Sequence, residues 1–243
     1  MARAAVLGRL TWRVATVAAV RTETATARTL VFSVPGWTGH VAGQHVDVRL
    51  TAEDGYTAVR SYSLASTESG ERIEITVEQV EDGEVSPYLA EVIDVGDLVE
   101  VRGPVGGWFV WRPEQTEPVQ LVAGGSGIVP LMAMIRARAA AGRAMPFRLL
   151  YSTRQPESVI YRDELVRPVG GLDITFAYTR RAPDGWRRPV GRIDAGLVAE
   201  ACWPAEFRPT CYVCGPTGFV ESAAELLTHA GHDPDAVRTE RFG

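Results

Sequence analysis

The chain has 243 residues, 30 acidic and 25 basic, for a formal net charge of −5, with 46% apolar and 23% charged residues. This ordinary globular composition excludes a disordered chain, and the length allows one large domain or two small ones. The mild acidity argues against nucleic-acid binding or a charged membrane surface, and because every basic residue is Arg, Schiff-base chemistry and a Walker-type phosphate loop, which need Lys, are excluded.

At the N-terminus Arg3, Arg9 and Arg13 precede the apolar run Val14–Val20. Its β-branched residues, and the absence of a small-residue cleavage site after it, read as a strand rather than a signal peptide. Further strands are predicted at Arg28–Val34, His45–Leu50, Arg60–Ala65, Arg72–Val80 and Leu98–Arg102. Several alternate apolar and polar residues, as in Arg72-Ile73-Glu74-Ile75-Thr76-Val77. Turn residues separate them at Pro35-Gly36, Asp54-Gly55, Ser69-Gly70, Asp82-Gly83 and Gly96-Asp97. Six short strands so punctuated predict a small antiparallel six-stranded β-barrel, which leaves no open sheet edge. One helix is predicted to interrupt it at Ser86–Ile93, with Ser86 as N-cap and Pro87 in the first helical position.

After the Pro- and Glu-rich stretch from Pro113 to Pro118 the rhythm changes to strands alternating with helices. Strands are predicted at Val119–Ala123, Phe147–Ser152, Leu172–Thr179, Thr210–Cys214 and Val237–Phe242. Helices are predicted at Val129–Ala141, Glu157–Val166, Asp194–Ala201 (capped by Asp194) and Thr217–Ala230. That alternation predicts an α/β domain with a parallel sheet covered on both faces, with residues 1–115 forming the barrel domain and 116–243 the α/β domain, whose nucleotide-binding role is what the resemblance given below implies.

Three constellations carry chemistry. Gly124-Gly125-Ser126-Gly127-Ile128-Val129-Pro130 stands between a strand and a helix, where glycines admit a diphosphate to free N–H groups, or simply make a tight turn. Arg60-Ser61-Tyr62-Ser63 sets an aromatic ring and a guanidinium on one face of a strand, which suits a flat heterocycle carrying phosphate or a plain cross-strand pair. Cys211 and Cys214 form a C-x-x-C, but positions three apart on a strand point to opposite faces, so neither a redox pair nor, with four His in the chain, a zinc site follows. Cys211 reads as a packing residue, and Cys214 as lying at the carboxyl edge of the parallel sheet, where open α/β sheets bind ligands. Three cysteines, with Cys202, suit a reducing cytoplasmic setting. His40, His45, His229 and His232 read as surface or loop residues. The cluster Arg180, Arg181, Arg187, Arg188 and Arg192 reads as a solvated loop, a phosphate contact or a docking patch for an acidic redox partner.

In this order the motifs resemble the ferredoxin–NADP reductase superfamily over nearly the whole chain. The flavin motif R-x-Y-[ST] is matched by Arg60-Ser61-Tyr62-Ser63, and the second flavin segment by Val77–Val80 with Gly83-Glu84-Val85-Ser86. The G-P-x-G turn is Gly103-Pro104-Val105-Gly106, the nicotinamide-side G-G-x-G-I-x-P is Gly124–Pro130, and the C-G-P turn is Cys214-Gly215-Pro216. The acid-x-aromatic end is Glu240-Arg241-Phe242.

The resemblance implies FAD held by Arg60, Ser61, Tyr62, Ser63, Val77, Gln79, Gly83, Val85 and Ser86. Within that set Tyr62 would stack on the isoalloxazine, Ser63 bond near N5, and Arg60 neutralise the diphosphate. Gly125, Ser126, Gly127, Ile128 and Pro130 would hold the NAD(P)H diphosphate. Cys214, with Gly215 and Pro216, would flank the nicotinamide, Phe242 the flavin, and Glu240 would pass protons or help orient the nicotinamide, making Ser63, Cys214 and Glu240 the catalytic set. Departures are Glu78 and Gln79, where many relatives are basic, and Phe242 in place of tyrosine with Gly243 after it. After the second parallel strand Ser152, Arg154 and, one strand on, Arg180 offer a hydroxyl and guanidinium groups, which predicts NADPH over NADH.

The implied function is a flavoprotein reductase taking hydride from NAD(P)H and passing electrons to a separate ferredoxin, oxygenase component or cytochrome. No C-x4-C-x2-C ligand set is present in the sequence, so the iron–sulfur or haem acceptor is expected to be another molecule. A reductase of free flavin or ferric chelates, and a non-catalytic electron-transfer subunit, are the alternatives. Neither membrane insertion nor a metal site is expected.

Overall fold

The computed structural model describes residues 10–67, 70–80, 82–142 and 145–242. Arg3, Arg9, Ser69 and Gly243, which entered the sequence reading, lie outside them. The first sheet contains β1 (Arg13–Thr22), β2 (Ala27–Ser33), β3 (His45–Thr51), β4 (Thr57–Ser63), β5 (Arg72–Glu78) and β6 (Leu98–Val105), in the order β4-β3-β6-β1-β2-β5 with antiparallel pairs. A bridge between Leu64 and Ile75 brings the two edge strands together and closes the barrel. Ile73, Ile75 and Val77 point inward with Val46, Val48, Leu30 and Phe32, the core that the alternating pattern requires.

The second sheet is parallel: β7 (Val119–Gly124), β8 (Phe147–Thr153), β9 (Leu172–Tyr178), β10 (Thr210–Pro216) and β11 (Val237–Phe242), in the order β11-β10-β7-β8-β9. Helix α1 (Ile128–Ala140) covers one face. Eight consecutive residues of α1, Ile128–Ile135, are buried because it is wedged between the sheet and Ala27, Ala42 and Ala65 of the barrel side. On the other face α3 (Ala195–Ala201), with its Asp194 carboxylate accepting from Leu197 N–H, and α4 (Thr217–His229) complete the layers. No helix among the described residues is long and apolar enough to cross a membrane.

Two predicted helices differ. The segment after Gly83 is helical over residues 86–92, close to the predicted span, but its body, Tyr88–Val92, is a turn of π-type helix, and Ser86 does not cap it. Its hydroxyl accepts instead from Val80 N–H at 3.1 Å, which ties the loop back to the end of β5. The helix predicted at Glu157–Val166 is broken into a 3-10 turn, Pro156–Ser158, and the four-residue α2 (Arg162–Leu165).

Tyr161 causes that break: it takes φ +59° and is buried between the two sheets. Its hydroxyl meets Thr76, whose own hydroxyl lies 2.7 Å from that of Thr29. Glu23 accepts from Thr29 at 2.6 Å and from Tyr161 N–H at 3.2 Å. Arg136 of α1 lies over the Tyr161 ring and donates to Ala65 O at 2.9 Å and to Glu164 at 2.7 Å. Tertiary bonds thus hold a backbone conformation that local propensity disfavours.

Candidate functional site

Strand β4 carries the R-x-Y-S motif at the edge of the barrel. Arg60 and Tyr62 share a face, opposite Val48 and Val46 of β3. Tyr62 packs against the barrel core, and burial pushes its phenol up to about 12. Arg60 is half exposed and donates to Glu84 at 2.6 Å, while Tyr56 donates to the other oxygen of Glu84 at 2.9 Å. Ser61 departs from the expected set: its hydroxyl donates to Asp47 at 2.7 Å, on the opposite face of the strand from Arg60 and Tyr62. Val77 and Val85 are fully buried side chains of the barrel core, so only their backbone is available to a ligand. Gln79 donates its side-chain amide to Glu91 at 2.8 Å. A Cβ at Gly83 would stand 2.6 Å from Ser86 Oγ, so a side chain there would displace the hydroxyl that Val80 N–H bonds to.

Ser63 reaches across to the second sheet, where its hydroxyl donates to Glu240 at 2.8 Å. Burial raises the Glu240 carboxyl above its ordinary range, against the opposing pull of the Ser63 hydrogen bond and of His45. His45 is the β3 partner of Ser63, so it belongs to this cluster rather than to an unrelated surface. On β10, Cys214 is the register partner of both Glu240 and Ala123. Its thiol is fully buried and raised well above its ordinary value by that burial.

The two cysteines of the C-x-x-C face opposite layers as the period of a strand requires: Cys214 belongs to the core beneath α1, Cys211 to the core beneath α3 and α4. His232 is buried beside Cys211, its Nδ1 3.7 Å from the sulfur, and His40 is buried between Trp37 and the Ser66 carbonyl. Both lie in loops, one of the two places read for them, but are buried rather than on the surface.

The glycine-rich segment turns directly from β7 into α1. Gly125 takes φ +55°, and a Cβ on Gly127 would stand 2.1 Å from the Cys214 carbonyl oxygen. The loop is therefore pressed backbone to backbone against β10, with the first N–H groups of α1 behind it. Ser126 is partly exposed, whereas Ile128 and Pro130 are buried in α1. The Phe219 ring fills the space a side chain at Gly124 would need.

Along the carboxyl edge of the sheet runs a groove of about 560 Å³, lined by Ser152, Arg154, Thr179, Arg180, Arg192, Ile193, Pro216, Gly218, Phe219 and Ser222. Among the described residues three arginines and no acidic residue line it. Arg181 and Arg188, from the same arginine-rich stretch, are instead paired with Glu157 and Glu200. The stretch thus divides into solvated ion pairs and a cationic groove. Ser152 and Arg154 come to this groove from the end of β8 and just beyond it, and Arg192 from the far end of the arginine-rich loop. Phe242 ends β11 opposite Pro216 and is 41% exposed. Among the described residues no cluster of His, Cys, Asp and Glu could hold a metal ion.

Two family models match the chain. Residues 14–110 match the oxidoreductase FAD-binding domain family, and residues 121–225 the oxidoreductase NAD-binding domain family. The ferredoxin reductase component of 3-ketosteroid-9-alpha-monooxygenase from Mycolicibacterium smegmatis is 32% identical over 237 residues, covering 93% of this chain and 64% of that protein. The reductase component of propane 2-monooxygenase from Rhodococcus jostii is 29% identical over 208 residues, covering 82% of this chain and 55% of that protein. The chain thus spans roughly half to two thirds of the curated relatives it matches. Among solved structures, the flavohem-like FAD/NAD binding domain of nitric oxide dioxygenase from Vibrio cholerae superposes with a TM-score of 0.85 at 26% identity, covering 95% of this chain and 98% of that one.

Proposed function

Since the chain belongs to the ferredoxin–NADP reductase superfamily, with an FAD-binding and an NAD-binding domain, we propose that it is an NAD(P)H-dependent flavoprotein reductase that supplies a separate electron acceptor. The residues present fit both groups. Tyr62 and Arg60 offer an aromatic face and a guanidinium for a flavin diphosphate, and the Gly125–Gly127 turn offers a backbone surface that a Cβ would close. FAD bound between the two would accept hydride from the nicotinamide and release electrons singly.

The observation that carries this reading is the Ser63–Glu240 hydrogen bond, which joins the R-x-Y-S motif to the strand beside Cys214. Ser63 would hold a proton at its Oγ, oriented by Glu240. Cys214 would form the wall behind the nicotinamide, Phe242 an outer face, and the close-packed Gly127 would fix that wall relative to α1. Arg154, Arg180 and Arg192 favour NADPH, because three cations without a carboxylate suit an additional phosphate.

The acceptor class, an iron–sulfur or haem protein, rests on relatives that are reductase components of oxygenase systems. We place the domain boundary near residue 115 and the protein in the cytoplasm, the latter supported by three buried free thiols. The test is anaerobic mixing of the flavin-loaded protein with NADPH, followed at the flavin band. Rapid bleaching supports the reading, and bleaching no faster than that of free FAD overturns it.

A further inference from the structure

Arg60 is the guanidinium on which the flavin diphosphate reading rests, and it is already engaged. Its Nη2 donates to Glu84 Oε2 at 2.6 Å and its Nη1 to the carbonyl of Val59 at 2.8 Å. Glu84 is held in place a second time by the Tyr56 hydroxyl, from the opposite side of its carboxylate. The loop that presents Glu84 is tied down by the Val80 N–H bond to Ser86 and by the side-chain-free turn at Gly83. The sequence around it is one-sided, with Glu78, Glu81, Asp82 and Glu84 and no basic residue among them.

A diphosphate approaching Arg60 therefore meets a carboxylate in the position an anion would take. We infer that Glu84 competes with the FAD diphosphate for Arg60, so that this chain binds FAD several-fold more weakly than it would without that carboxylate. This rests on the flavin reading above and deepens it. The ion pair is half exposed, so its strength is that of a surface pair and the carboxylate swings aside at modest cost. The result is weakened flavin retention without loss of flavin binding.

The experiment titrates the full-length chain with FAD and, separately, with riboflavin, which lacks the diphosphate, following flavin fluorescence. Glu84→Gln keeps the size and the hydrogen-bonding ability of the side chain but removes its charge. It is expected to tighten FAD by about 5-fold at low salt, the scale of one exposed ion pair, and to leave riboflavin unchanged. The gain is expected to shrink in the Arg60→Ala background, where there is no guanidinium to compete for. Glu225→Gln, an exposed position on α4 with the same change in net charge, is the control and is expected to change neither affinity.

An unchanged or weaker FAD affinity in Glu84→Gln, or an equal gain for riboflavin, overturns the role of Glu84 while leaving the flavin reading standing. A wild-type chain that binds neither flavin overturns both.

Discussion

The hydroxyl of Ser63 donates to the carboxylate of Glu240 at 2.8 Å, joining a barrel strand to the last strand of the parallel sheet, 177 positions later. Because burial is the largest influence on Glu240, its folded-state pKa lies above the ordinary value of 4.5. Between those two values the folded state holds the extra proton, so the stability Glu240 contributes is full below the ordinary value and is lost as pH rises through the folded one. Glu240→Gln cannot ionise. Thermal melts from about pH 4 to about pH 8 are expected to show the wild type losing stability relative to the variant as pH rises, and a constant difference would sink the assignment.

Cys214 and Cys211 face different cores, which separates their expected effects. Cys214→Ala is expected to slow single-turnover hydride transfer while FAD stays bound. Cys211→Ala removes a buried sulfur from the far layer and is expected to lower stability by about 1 kcal/mol with little effect on that step. Equal slowing in both variants would mean that the nicotinamide wall is elsewhere.

Gly127 has no room for a methyl group, since the Cys214 carbonyl oxygen would stand 2.1 Å from it and neither backbone can turn away. Gly127→Ala is expected to destabilise the protein by about 1–3 kcal/mol in urea unfolding and to weaken NADPH binding together with it. Gly142, whose added Cβ meets nothing within 4 Å but whose φ is +62°, serves as the comparison for backbone strain alone.

The groove at the sheet edge fixes the expected coenzyme. A guanidinium contact to a phosphate is worth about 1.5–3 kcal/mol, so Arg154→Ala or Arg180→Ala should each lose roughly 10- to 100-fold in kcat/KM for NADPH. The value for NADH should barely move. Parallel losses for both coenzymes, or a wild type that prefers NADH, would remove the 2′-phosphate from this groove.

Much of this architecture was legible in the sequence for identifiable reasons. Alternation in Arg72–Val77 and glycine turns between short strands specify a half-buried antiparallel barrel. The change to strand–helix alternation after Pro118 specifies the parallel sheet. What escaped depends on residues distant in the chain. Tyr161 breaks a helix because Glu23 and Thr76 hold it, 138 and 85 positions away. His40 and His232 are buried by neighbours that local pattern does not reveal. Glu84 meets Arg60 only because the loop after β5 folds over the edge of β4.

The Thr29–Thr76–Tyr161 chain bears on how such a protein changes over time. Thr29 and Thr76 are buried on the barrel side, and the hydroxyl that adds to their bonding comes from Tyr161, in the turn before α2 of the other half. Grafting this barrel onto a half without a tyrosine there would remove one buried hydrogen bond from Thr76, a net loss of about 0.5–1.5 kcal/mol, and would leave Arg136 without its ring. The two halves are therefore not free cassettes: substitutions at Glu23, Thr29, Thr76, Arg136 and Tyr161 must be compatible with one another, and a hybrid enzyme built from this chain has to carry all five across the junction.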